Sequence, residues 1–191
     1  MYGFTGDSTV MASELHVDAI KHSGGTSALT IDSSGNVNMP GSVVQIVQTN
    51  SNSQSLSTTT STSFTEIDTD FRATITPKFS NSKILFFCKL GIGGGNNGNH
   101  DTQVFCRLYD VTAGAVAGDS HTDYGQGGFR SYDYGGNGHY AQLGTAFDLI
   151  IDSWGTTAKT FTFQVKKRAG DEVRVNDESK ATSITIMEIA Q

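Results

Sequence analysis

Apolar and polar positions alternate with a period of two along most of the chain from residue 43 onward. In Phe71–Thr76, for example, Phe71, Ala73 and Ile75 fall on one face, as in a strand with one buried side. The segments with this strand pattern are 43–48, 64–67, 71–76, 83–90, 102–109, 145–152, 160–167, 172–175 and 183–189. Because turn-rich joints separate them, the pattern predicts an all-β fold with a β-sandwich head of the jelly-roll kind.

The strand at residues 83–90 differs from the others because both of its faces are apolar. Ile84 and Phe86 share one face, and Leu85 and Phe87 lie on the other. Continuous apolar runs are typical of strands covered on both sides. We therefore expect a central strand that is buried between two layers.

A glycine-rich segment, Gly91–Asn99, follows this strand directly. It lacks the Gly-Lys-Ser/Thr ending of a phosphate-binding loop, and we expect a flexible hairpin loop that joins strand 83–90 to its neighbour, strand 102–109. This pairing would place Cys88 and Cys106 on apolar faces of adjacent strands. Buried free thiols are the expectation, and an inter-strand disulfide is the alternative.

The first forty residues have shorter strand patterns than the rest of the chain. Residues 15–20 alternate before a turn at Ser23–Gly25, and residues 28–37 resemble a small hairpin. Two or three short strands without a second layer are marginal in water. With a hinge at Met39–Ser42, we predict an N-terminal β attachment or trimerisation segment at residues 1–40 and a head domain at residues 41–191.

Composition narrows the classes of function. The 191 residues include 22 glycines, 17 % are charged, and the net charge is −6. Since the only basic run is Lys166–Arg168, we expect no nucleic-acid partner. No apolar stretch approaches the roughly 18–20 residues that span a bilayer, and Met1–Val10 does not resemble an export signal, so we expect synthesis in the cytoplasm without membrane insertion.

Catalytic motifs are absent from the sequence. There is no Gly-x-Ser-x-Gly nucleophile elbow, and the five histidines lie in polar or turn contexts. His100 and Asp101 could bind a metal ion together with His121 and Asp123, but polar loops produce such pairs by chance. We therefore predict a non-enzymatic protein without a metal site or cofactor.

The segment Tyr124–Tyr140 mixes glycine with aromatic and polar residues, as binding surfaces often do. It either packs onto its own domain or a neighbouring subunit, or it forms a recognition loop whose aromatic faces stack on sugars. The candidate ligand-binding residues are Tyr124, Phe129, Arg130, Tyr132, Tyr134, His139 and Tyr140.

Several segments resemble a known family. Met11–His22 and Ala28–Val37 resemble the N-terminal and repeat segments of tail-fibre-like virion proteins of marine and cyanobacterial tailed phages. Ile75–Leu85 is similar to a recurrent "ITP, small polar residues, SKILV" stretch of these proteins, and Lys159–Val165 and Ser183–Gln191 add to the likeness. The resemblance implies a virion component, usually a homotrimer, without catalytic residues.

This resemblance sets the functional expectation. It implies a short phage tail fibre or similar appendage, located in the virion. The N-terminal segment would contact other virion proteins, and the distal head would bind a glycan or receptor on the host surface. The chain lacks the repetitive shaft of longer fibres, so a capsid-surface decoration (head-fibre) protein is the alternative. A carbohydrate-active depolymerase subunit is a more distant one.

Overall fold

The computed structural model describes residues 16–51, 57–96, 101–132, 139–152, 155–175 and 182–191. Within these ranges the chain forms fifteen β-strands, one 3-10 turn at Thr69–Phe71 and no α-helix. The strands are β1 (Ala19–Lys21), β2 (Ser27–Ile31), β3 (Val37–Asn38), β4 (Val43–Ser51), β5 (Ser57–Thr59), β6 (Thr65–Glu66), β7 (Ala73–Ile75), β8 (Lys83–Asn96), β9 (Asp101–Asp110), β10 (Ala115–Val116), β11 (Gly127–Tyr132), β12 (His139–Ile151), β13 (Lys159–Ala169), β14 (Glu172–Val175) and β15 (Thr182–Ile189). The predicted all-β class is confirmed.

The chain divides into two compact units, Met1–Met39 and Pro40–Gln191. In the first unit, β1, β2 and β3 form an antiparallel sheet. Asp32 Oδ1 accepts hydrogen bonds from the N–H groups of Ser34 and Asn36, at 2.9 and 2.8 Å, which confirms the predicted hairpin turn. None of the described residues 16–39 is fully buried.

The second unit, called the head here, is a β-sandwich of two six-stranded antiparallel sheets. Sheet I has the order β4-β15-β8-β14-β5, and β12 pairs with the free side of β8. Sheet II has the order β10-β9-β13-β6, with β11 on β9 and β7 on β13. This arrangement confirms the predicted jelly-roll-like sandwich.

The core of the head lies between the two sheets. It consists of the inward positions of the alternating strands, and large aromatic side chains from the two sheets meet there. Phe86 of sheet I and Phe161 of sheet II pack edge to face, with ring centroids 4.8 Å apart. Such pairs contribute about 0.5–1.5 kcal/mol beyond the burial of their surface.

Three expectations about residues 83–109 are wrong. Residues 91–96 continue strand β8 instead of forming a loop, and Gly94 pairs with Ala141 on one side and Val173 on the other. A Cβ atom at Gly94 would overlap Thr102 Cγ2 and lie 3.0 Å from Val104 Cγ2. Glycine is therefore required because the two sheets approach closely at this end of the sandwich.

The expected pairing of strand 83–90 with strand 102–109 is also wrong. Strands β8 and β9 do not pair but belong to different sheets. Cys88 lies on the core face of sheet I and Cys106 on the core face of sheet II, and both are buried free thiols. Residues 97–99 of the predicted loop lie outside the described residues.

Strand β8 is central in sheet I, as predicted, because it has paired neighbours on both sides. The expectation that both of its faces are covered is wrong within this chain. Ile84 and Phe86 are fully buried, whereas Leu85 is half-buried and Phe87 is 46 % exposed.

One inward position of β15 carries a carboxylate. Glu188 is fully buried, and it accepts hydrogen bonds from Ser82 Oγ at 2.6 Å, Gln45 Nε2 at 2.6 Å and the N–H groups of Lys78 and Phe79 at 2.8 and 3.0 Å. Burial raises the pKa of Glu188, but these hydrogen bonds outweigh it and hold the pKa below its ordinary value. Glu188 thus anchors the turn before β8 to the last strand.

Candidate functional site

Aromatic and basic side chains share the outer face of sheet II. Alternate residues of β9 point outward and are half-exposed, among them Phe105, Arg107 and Tyr109. Lys166 of β13 pairs with Phe105 across the sheet. We call the following set the aromatic–basic face: Phe64, Phe105, Arg107, Tyr109, Tyr124, Lys166 and Arg168.

Two cations of this face lie over one ring. Arg107 Cζ is 4.3 Å and Lys166 Nζ 4.6 Å from the centre of the Phe64 ring. Gln164 Oε1 accepts hydrogen bonds from Nε and Nη2 of Arg107, at 2.8 and 2.6 Å. Within the described residues, no carboxylate forms an ion pair with either cation. Partial burial lowers the pKa of Arg107, yet a guanidinium remains charged at neutral pH.

Tyr124 forms the exposed end of the face. Its ring packs edge to face on Phe105, 5.2 Å between centroids, and stacks on His121 at 4.6 Å. Arg168 Nη1 donates a hydrogen bond to Tyr124 Oη at 2.9 Å. Tyr124 remains 43 % exposed, beside an open depression of about 360 Å³ that is lined by Phe105 and residues 124–130.

Glycines bring the segment after Tyr124 onto β9. Gly125 has a φ of +67°, and a Cβ atom there would overlap the carbonyl oxygen of Cys106. A Cβ atom at Gly128 would likewise overlap the carbonyl oxygen of Val104. Between them, Gln126 Oε1 accepts a hydrogen bond from the N–H of Leu108 at 2.6 Å. The glycines therefore serve close backbone packing against β9.

The predicted recognition loop is consequently wrong as a single loop. Gly127–Tyr132 is strand β11 of sheet II, and His139–Ile151 is strand β12 of sheet I. A segment rich in glycine suggests a loop by composition, but here the missing side chains allow strands to pair closely.

The candidate residues therefore separate. Tyr124 lies on the aromatic–basic face, as described above. Phe129 is wrong as a ligand-binding residue, because it points inward from β11, is only 9 % exposed and belongs to the core. Arg130 points outward and forms a two-fold ion pair with Asp101, with Nε–Oδ1 and Nη2–Oδ2 distances of 3.1 and 2.9 Å.

The other candidates are placed by their backbone alone or not at all. Tyr132 ends β11 opposite Asp101, and His139 and Tyr140 begin β12 opposite Asn96 and Gly95. Tyr134 lies outside the described residues.

Sequence reasoning missed most of the aromatic–basic face. Phe64, Arg107, Lys166 and Arg168 come from three separate segments. The pairing of β13 with β9 on one side and with β6 on the other brings them together. The available signal was the run of outward residues in strand 102–109, in which an arginine alternates with aromatic side chains.

In the described ranges, no group of three or more His, Cys, Asp or Glu side chains could hold a metal ion. His121 Nδ1 accepts a hydrogen bond from the N–H of Asp123 at 3.0 Å, and His100 lies outside those ranges. No helix among the described residues is long and apolar enough to cross a membrane.

Comparisons with known proteins identify no family. No family model matches the chain, and no curated protein matches it. Among solved structures, Eiger TNF from S. frugiperda is similar with a TM-score of 0.42 and 9 % identity over 76 % of this chain and 92 % of that chain. A chain of the infectious bursal disease virus Gx strain has a TM-score of 0.40 and 11 % identity, over 80 % of this chain and 33 % of that one.

A third similar structure is the CBM36-1 domain of a multidomain xylanase from the hindgut metagenome of Trinervitermes trinervoides. Its TM-score is 0.25 and its identity 16 %, over 74 % of this chain and 94 % of that domain. Likenesses at this level assign no function to this chain.

Proposed function

We propose that this protein is a non-enzymatic structural component of a phage virion, a short homotrimeric appendage whose head binds an acidic glycan on the host surface. The virion role and the trimer are supported by the resemblance of Met11–His22, Ile75–Leu85 and Ser183–Gln191 to phage tail-fibre-like proteins. The first unit has no buried residue of its own among residues 16–39, which supports its attachment to copies of itself or to other virion proteins.

The observation that carries the binding role is the concentration of positive charge on one face of an acidic protein. The chain has a net charge of −6, yet Arg107 and Lys166 share the Phe64 ring without a carboxylate partner in the described residues. Arg168 lies over the neighbouring ring of Tyr124, 5.3 Å from its centre.

Such a face matches the chemistry of an acidic saccharide. The exposed side of an aromatic ring packs against the C–H groups of a pyranose, and a guanidinium binds a carboxylate or sulfate with two hydrogen bonds. Because the rings already fix the positions of the cations, less side-chain entropy is lost on binding.

Binding is tested with a matched pair of polysaccharides, dextran and dextran sulfate, which share one backbone. We expect the full chain to bind dextran sulfate more tightly than dextran, and the affinity to fall as salt rises. Arg107→Gln should weaken binding about tenfold or more, since a hydrogen bond to a charged group contributes roughly 1.5–3 kcal/mol. Binding is measured by isothermal titration calorimetry.

Arg72→Gln is the control. Arg72 is also an arginine of the head, but Glu66 already binds it through two hydrogen bonds of 2.8 and 2.7 Å. Equal losses from the two variants, or equal affinity for the two polysaccharides, would contradict an acidic ligand on this face.

The virion role is tested separately, by locating the chain on purified particles with labelled antibody. Label at the tail supports the proposed appendage, whereas label over the capsid identifies a surface decoration protein. Absence from particles would contradict both. Depolymerisation of host polysaccharide by the purified protein would contradict the non-enzymatic assignment.

A further inference from the structure

Apolar side chains form a continuous row across the outer face of sheet I. Ile150 of β12 pairs with Leu85 of β8, Leu85 with Met187 of β15, and Met187 with Ile46 of β4. Phe87 lies two residues along β8 on the same face. We call these five residues the apolar row.

Much of the row is open in the single chain. Ile46 is 58 %, Phe87 46 % and Ile150 65 % exposed, and Leu85 and Met187 are half-buried. With roughly 200 Å² for a fully exposed side chain of this size, the three most exposed members present on the order of 350 Å² of apolar surface. Patches in the range of about 300–600 Å² are the largest on typical monomers and often mark an interaction site.

The area also fits one side of a protein–protein interface. A standard interface buries about 800 Å² per partner, of which about 56–58 % is apolar, or roughly 450 Å². The apolar row supplies most of this amount. The double-sided apolar pattern of β8 is explained if its outer face is covered in the assembled protein.

Charges beside the row favour a second copy of the same chain as the partner. Lys89 and Asp148 are both exposed on this face. Lys89 lies two residues after Phe87 along β8, and Asp148 of β12 pairs with Phe87. Within the described residues neither has an ion-pair partner. Because one patch carries both signs, copies arranged around a symmetry axis can pair Lys89 of one with Asp148 of the next.

We propose that the apolar row is the contact surface between heads in the homo-oligomer. This inference rests on the self-association included in the proposed function. It adds a second contact to the one expected from the N-terminal unit, and it leaves the aromatic–basic face, on the other sheet, free for the ligand.

Thiol labelling of the full chain tests whether the row is covered. The two native cysteines are buried, at 3 % and 0 % exposure, so an introduced thiol reports alone. We expect Ile150→Cys to react with a maleimide about tenfold more slowly at concentrations about ten times the dissociation constant than after dilution to monomer. The control is Tyr124→Cys, which should react at one rate throughout, at a position that is 43 % exposed beside the outer face of sheet II.

Sedimentation velocity on the same samples separates the possible outcomes. If the chain assembles and Ile150→Cys still reacts like the control, this inference is wrong while the proposed homo-oligomer stands. If the chain never assembles, both are wrong. Protection that persists in sedimenting monomers would show that the chain covers its own row, which also overturns the inference.

A tightly held assembly that does not dissociate on dilution is tested by a second variant. Adding Ile46→Asp and Phe87→Asp to Ile150→Cys places charge in the row at exposed positions, so the fold is expected to persist. We expect labelling at position 150 to rise to the rate of the control. Unchanged protection would overturn the proposed interface.

Discussion

Replacing the buried carboxylate of Glu188 tests how the head is held together. In Glu188→Gln, an NH₂ group takes the place of one acceptor oxygen, and the remaining hydrogen bonds are made to a neutral amide oxygen instead of a charged carboxylate. Four groups donate to Glu188, namely Ser82 Oγ, Gln45 Nε2 and the N–H groups of Lys78 and Phe79. The backbone donors cannot turn away, because they belong to the tight turn before β8.

The expected loss follows from the energies of such hydrogen bonds. A bond to a charged group contributes roughly 1.5–3 kcal/mol and a neutral one roughly 0.5–1.5 kcal/mol. Changing four hydrogen bonds from charged to neutral would therefore cost about 4–6 kcal/mol of stability. Part of this cost is offset because the neutral side chain buries no charge. We expect a fall of about 2–4 kcal/mol in the free energy of unfolding at pH 7.

The pH dependence gives a second signature of the same group. Since the folded pKa of Glu188 lies below the ordinary value of 4.5, its ionisation stabilises the fold at pH values above 4.5. This stabilisation is lost as the pH falls from 4.5 through the folded pKa. The difference in stability between the wild type and Glu188→Gln should therefore be full at pH 7 and shrink below pH 4.5.

Urea denaturation followed by far-UV circular dichroism measures both effects. Glu66→Gln is the matched control, because Glu66 also accepts two short hydrogen bonds, from Arg72, but the side chains are 23 % and 41 % exposed. Exposed ion pairs contribute about 0–1 kcal/mol. Equal losses in the two variants, or a difference that does not change between pH 7 and pH 3, would refute the anchoring role of Glu188.

Two further predictions concern the packing of the sandwich. Gly94→Ala should lower the free energy of unfolding by about 1–3 kcal/mol, because its Cβ atom meets side chains of the opposite sheet. Gly24→Ala is the control, because a Cβ atom there has only the His22 ring within 4 Å, and it should leave the free energy of unfolding almost unchanged. Equal effects of the two variants in a thermal melt would contradict close sheet packing at Gly94. Burial raises the pKa of Cys106 to about 12 and raises that of Cys88 well above its ordinary value. Neither thiol should react with Ellman's reagent at pH 8 until the protein unfolds, and rapid reaction of the native chain would show that the core is open.

Strands with strict alternation could be predicted well from the sequence. Glu172–Val175 has the predicted bounds, and residues 183–189 differ from β15 by one residue at the start. In both strands, the side chains on one face are buried by the opposite sheet. Every second residue must therefore be apolar, and this alternation is visible in the sequence. The fold class therefore followed from local information.

Pairing and side-chain surroundings were harder to predict, because they depend on residues far apart in the chain. Strand β8 continues through Gly91–Gly95, and at Gly94 a Cβ atom would overlap Thr102 of the other sheet, whereas glycine in sequence suggests a loop. The glycine-rich context of Phe129 suggests a binding residue. In the structure, however, the pairing of β11 with β9 directs the Phe129 side chain into the core. The pairing of β13 with both β6 and β9 likewise places Phe64 beside Arg107.

The position of β4 has a mechanical consequence. The first unit continues into the head at β4, and β4 is joined to sheet I through an antiparallel ladder with β15 that runs from Val43 opposite Ile189 to Ser51 opposite Thr182. The first hydrogen bonds beside this ladder join Gly41 and Ser42 to Ala190, and a force applied along β4 would be shared by many hydrogen bonds at once. A load applied between the N-terminal segment and the rest of the head would therefore strain β4 against β15 before it could pull the sandwich apart.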